Sequence, residues 1–131
     1  MNTAEREEFI AHRIDKSKEA MKEVEVLYNI RHYGTSASRL YYAAFYAASA
    51  LLAQKEFDIK THAGVRNELN RAFVKTEILS KDQGRLFSKL FDLRQLGDYG
   101  ENLDVSKENL DAVKEKAFNL INDMIALVEQ N

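Results

Sequence analysis

Apolar side chains recur at intervals of three and four residues along most of this chain, the spacing of one helix face. The first stripe is Ile10, Ile14, Ser17, Met21, Val24 and Tyr28. It is preceded by "NTAE", where Asn2 can serve as N-cap and Glu5 falls at the third helical position, a capping-box variant. This helix is expected to end before Gly34. A second helix is predicted from Thr35 or Ser36 to about Lys55. Its centre, Leu40 to Ala53, is apolar nearly all round. Such a helix must be covered on several sides, either in the middle of a bundle or against another subunit. Ala43, Ala44, Ala47, Ala48 and Ala50 permit close helix approach. Tyr41, Tyr42 and Tyr46 bring hydroxyls that need partners or water when buried.

The third helix is predicted from about Thr61 to Lys75, with Val65, Leu69 and Phe73 as its apolar line. The fourth opens at Ser80, where "SKDQ" forms a capping box with Gln83. Leu86, Leu90 and Leu93 make one line on it; Phe87, Phe91, Arg94 and Asp98 make the next. The fifth opens at Ser106 and carries Leu110, Val113, Ala117, Leu120, Met124 and Leu127. Five helices with short connections predict an all-α antiparallel up-and-down bundle, a single domain over residues 1–131. The absence of proline and a total of only five glycines agree, since these residues are the main helix breakers.

Composition narrows the chemistry. No cysteine is present, which excludes disulfides, thiolate metal sites and a cysteine nucleophile. The opening "MNTAEREEFI" has no apolar signal core, and Leu40–Ala53 is short of the roughly 20 residues that span a bilayer. The expectation is a soluble, cytoplasmic protein with no membrane partner. The net charge of -2 decides little. Its distribution says more: residues 36–100 hold ten basic and seven acidic side chains, whereas residues 101–131 hold three and seven. His12, His32 and His62 are scattered and show no i, i+4 ligand spacing, so neither a metal nor a cofactor is predicted. No glycine-rich phosphate loop is present.

The candidate chemistry lies in "FDLRQLGDYGE", Phe91 to Glu101. Arg94 and Asp98 are four apart and share a face if the helix runs through Gly97. They either pair with each other at the core edge or serve a site together with Tyr99. Arg39, Tyr42 and Tyr46 lie three and four apart on the second helix. Aromatic rings beside an arginine can stack an exposed base and hold its phosphate; core packing accounts for the same stripe. His62 can act as an acid or base near neutral pH, or hydrogen-bond a helix end. Arg66, Arg71 and Lys75 add charge to the third helix.

The stretches "SRLYYAAFYAASALL", "KTHAGVRNEL", "FVKT" and "LRQLGDY", in that order, resemble the HEPN domain family over roughly residues 10 to 127. The resemblance is to its small stand-alone bacterial and archaeal members. It implies a helical bundle, a homodimer, and one of two activities. Many HEPN proteins are metal-independent ribonucleases carrying an arginine followed, four to six residues on, by a histidine. Arg94 matches that arginine, but Tyr99 stands five residues on and Asp98 beside it, with no histidine. A tyrosine of ordinary pKa, about 10, is a poor base at neutral pH. Other members are partners of a nucleotidyltransferase in a toxin–antitoxin or defence pair, and there Tyr99 is by position a candidate nucleotide acceptor. The resemblance thus implies a protein that meets RNA or nucleotides through Arg94, with Asp98 and Tyr99 beside it; Arg39, Tyr42, Tyr46 and His62 are the further nucleic-acid-binding candidates that residue type and spacing supply. The alternative is a non-catalytic protein-interaction module.

Overall fold

The capping signals at Asn2, Thr61, Ser80 and Ser106 all work as local chemistry requires. Each side-chain oxygen accepts a backbone N–H of the first helical turn. At Asn2 and Ser80 the reciprocal bond from Glu5 or Gln83 completes a capping box. The resulting helices, in a computed structural model that describes residues 1–99 and 105–130 and, for residues 95–99, the backbone alone, are five. They are α1 (Thr3–Asn29), α2 (Tyr33–Gln54), α3 (His62–Leu69), α4 (Lys81–Tyr99) and α5 (Lys107–Glu129). No described helix is long and apolar enough to cross a membrane.

α2 is the axis of the bundle and packs on all four other helices, most extensively on α1. Its alanines 43, 44, 47, 48 and 50 are fully buried. Three bonds set the antiparallel α1–α2 register. Arg6 Nη1 donates to the Ala53 carbonyl at 3.0 Å, Ser17 Oγ to Ala43 at 2.7 Å, and Ser36 Oγ to Val24 at 2.9 Å. The two serine hydroxyls have no access to water, so each bond removes a desolvation cost of about 1–3 kcal/mol. At the other side, Gln54 Nε2 donates to the Val128 carbonyl, so the C-terminal ends of α2 and α5 lie together. Gln83 of α4 reaches Asp123 of α5, near the opposite ends of those two helices. The bundle is therefore all-α and up-and-down. Because α2 is wrapped by its own chain, its apolar circumference no longer calls for a second subunit.

Two boundaries differ from the sequence reading. α2 starts at Tyr33, so Gly34 lies inside it rather than between helices. The turn is made earlier, by Arg31 in the left-handed region at φ 66°. His32 N donates to the Leu27 carbonyl and Arg31 N to that of Tyr28, a Schellman closure built without glycine. Glu56, at φ 65°, closes α2 in the same way through Phe57 N to Leu52 and Glu56 N to Ala53. The second difference is that the third helix is not α-helical to Lys75. It widens into a π segment, Asn70–Val74, in which Lys75 N bonds the Asn70 carbonyl. The wide turn sits against Gly84 of α4, where a Cβ would come within 2.9 Å of Asn70 Oδ1 and 3.0 Å of Val74 Cγ2. Val65, Leu69 and Phe73 are nonetheless all buried, so the apolar line survives the change of pitch.

A left-handed conformation strains a residue that carries a Cβ. Replacing exposed Glu56 by glycine is therefore expected to stabilise the fold by up to about 1 kcal/mol, read as a higher urea midpoint at unchanged slope. A lower midpoint would mean that the Glu56 side chain contributes more than its backbone costs.

Candidate nucleic-acid interface

Successive residues on α2 point about 100° apart, and this separates the roles of two neighbouring tyrosines. Tyr41 turns into the core and is fully buried, against Phe87 and Phe91 of α4 at ring-centroid distances of 6.0 and 5.6 Å. Its hydroxyl cannot be left unpaired there. It meets His62 Nδ1 at 2.8 Å. Tyr42 is only partly buried and faces the outer part of α4. Its hydroxyl accepts a hydrogen bond of 3.0 Å from Arg94 Nη2. The Arg94 guanidinium lies 5.3 Å from the Tyr42 ring centre and 5.7 Å from that of Tyr41, within cation–π range of both.

His62 is the first residue of α3, and its place is set locally. Thr61 Oγ1 accepts from Gly64 N at 2.9 Å, closing the first turn. A Cβ on Gly64 would fall 2.6 Å from Ile59 Cγ2 and 2.7 Å from Thr61 Oγ1, so the entering loop can fold this tightly only over glycine. The His62 ring then stacks on Phe45 of α2 at 4.3 Å. It also lies 6.0 Å from the Tyr42 ring. Arg66, one turn further along α3, covers Phe91 at 5.4 Å. Burial lowers the His62 pKa, and the Arg94 charge lowers it further. Burial likewise raises the Tyr41 pKa well above the usual phenol value, against a smaller opposing pull from Arg94.

The other candidates continue this surface or leave it. Tyr46 follows Tyr42 at 6.0 Å and is approached by two cations of α1, Arg13 at 5.4 Å and Lys16 at 5.7 Å. Arg39 lies 5.5 Å from the Tyr42 ring but shares its charge with Glu23 at 3.4 Å. With Lys16, Glu19 and Tyr46 these two line a small recess of about 210 Å³. Arg71 is bound twice by Glu68, at 2.7 and 2.9 Å, and covers Phe57, so it adds little free charge to α3. Asp98 and Tyr99 are carried on the helical backbone of α4; their side chains lie outside the described residues. The structure thus joins Arg94, Tyr42 and His62 directly, and adds Arg13, Lys16 and Phe45, which periodicity alone did not single out.

The lowered pKa of His62 makes a stability prediction with a definite sign. The unfolded chain takes up the imidazole proton first as pH falls, so the contribution is present above about pH 6.5 and lost below it. The melting temperature of the wild type should fall between about pH 7.5 and about pH 5.5, and His62→Gln should fall less. Equal slopes would place His62 in an environment no different from water.

A HEPN domain model matches residues 10–129 of this chain. A UPF0332 protein of Thermotoga maritima is 32% identical over 95% of both chains. A "putative toxin" of Methanocaldococcus jannaschii is 31% identical, covering 83% of this chain and 74% of its own. A second "putative toxin" of the same organism is 32% identical over 72% of this chain and 71% of its own. With its helical bundle and a match across nearly its whole length, the chain belongs to the HEPN domain family.

Proposed function

We propose that this protein binds single-stranded RNA along the edge of α2 and α4, as the toxin of a toxin–antitoxin or defence pair. The observation that carries the reading is the seating of Arg94 on Tyr42, followed by Tyr46 one helical turn further on. A fixed cation beside successive aromatic faces suits a strand whose phosphate is held by charge and whose bases are held by stacking. Arg13 and Lys16 extend the charge along the same edge. Duplex RNA would not fit this use, because its bases are already stacked. Similarity to proteins named as toxins supports the biological setting. A toxin needs a neutralising partner; the resemblance assigns that role to a nucleotidyltransferase and implies that the chain acts as a homodimer.

The decisive measurement is fluorescence anisotropy with a short labelled single-stranded RNA. Affinity should fall steeply between about 50 and about 200 mM salt, as phosphate contacts require. Arg94→Ala should weaken binding about tenfold or more while leaving a folded protein. Tyr42→Ala should cost about 1–3 kcal/mol of binding. Equal affinity in Arg94→Ala and wild type would remove this surface from RNA binding. The same RNA, incubated with EDTA and sequenced at its ends, reports whether binding leads to metal-independent cleavage.

A further inference from the structure

The Tyr41–His62 contact bears on which nitrogen of the imidazole meets a ligand. The Tyr41 hydroxyl has no other hydrogen-bond partner among the described residues, so the proton that it keeps has this one acceptor to go to. The atom that Tyr41 Oη reaches is His62 Nδ1, at 2.8 Å. With Nδ1 as the acceptor, the proton of the neutral ring resides on Nε2. Nε2 has no hydrogen-bond partner among the described residues, and the half-buried ring places it at the edge of the cluster. Phe45 stacked at 4.3 Å on the ring and the Thr61–Gly64 turn behind it leave little freedom to rotate. Arg94 and Arg66 flank the same rings, Tyr41, Tyr42 and Phe91.

Resting on the RNA-binding reading, we infer that His62 is a fixed neutral N–H donor to a phosphodiester oxygen, aimed by Tyr41 and acting beside Arg94. It is a binding residue and takes up no proton. Tyr41 is a positioning residue that never touches the ligand. This differs from the usual expectation for a histidine near an arginine in such a site, which is a base with a lone pair on the outward nitrogen. The electrostatic environment agrees with a donor: burial and the neighbouring guanidinium both oppose the imidazolium form.

Two measurements test it together. Long-range ¹H–¹⁵N correlation spectra of the wild-type protein near neutral pH should show the Nε2–H tautomer for His62. In Tyr41→Phe that signal should move toward a tautomer mixture. In anisotropy with the short single-stranded RNA, His62→Ala should bind about tenfold more weakly. His62→Gln, whose amide N–H can take the place of Nε2–H, should stay within about threefold of wild type. An Nδ1–H tautomer in the wild type would overturn the inference whatever the variants do. So would unaltered binding by His62→Ala when Arg94→Ala has lost it, and that result would leave the RNA reading standing. No RNA binding by the folded wild type would sink the RNA reading, and this inference with it.

Discussion

The burial of one alanine-rich helix controls the rest of the molecule. α2 has almost no polar face through its centre, so the other four helices must cover it. Small side chains let α1 approach closely, and close approach brings serine hydroxyls within reach of carbonyls across the contact. The same burial forces a decision on each tyrosine of α2. Tyr41 is committed to the core, and an unpaired phenol there would cost several kcal/mol by transfer to an apolar medium. Its partner must come from another element. The entry of α3 supplies it, through a turn that only Gly64 permits. The candidate interface is in this sense a by-product of satisfying the core.

Arg94 and Arg39 illustrate how context separates residues of one type. Both lie over Tyr42. Arg39 is drawn to Glu23 of α1, an ion pair with both members partly exposed and hence of small energetic weight. Arg94 is bonded to the Tyr42 hydroxyl and rests on two rings, which fixes its guanidinium between α2 and α4.

Much of the architecture could be read locally. Caps at Asn2, Ser80 and Ser106 depend on contacts three residues apart, and the apolar lines of α1, α3 and α5 depend on helical pitch alone. The exceptions share a cause. Gly34 looked like a stop because glycine is the usual left-handed residue after a helix, yet Arg31 and Glu56 take that conformation, at a cost in strain. The π segment at Asn70–Val74 answers the proximity of Gly84, a residue on the next helix that no short-range pattern connects to it. The expected pairing of Arg94 with Asp98 involves a side chain outside the described residues; Arg94's contacts to Tyr41 and Tyr42 come from a helix fifty residues earlier.

By itself the sequence determined the number and amphipathic faces of the helices, the all-helical class and the HEPN resemblance, because each follows from spacing, capping or a run of residues in order. It also named Arg94, Tyr42 and His62 as candidates. Only the tertiary structure decided that these three share one surface, that Tyr46 borrows its cations from α1, and that the Tyr41 hydroxyl meets His62 Nδ1. The physical reason is register. Which side chains meet between helices depends on how far one slides and rotates against another, and that is set by the packing of α2's small residues and by three cross-helix hydrogen bonds. No interval within a single helix encodes it.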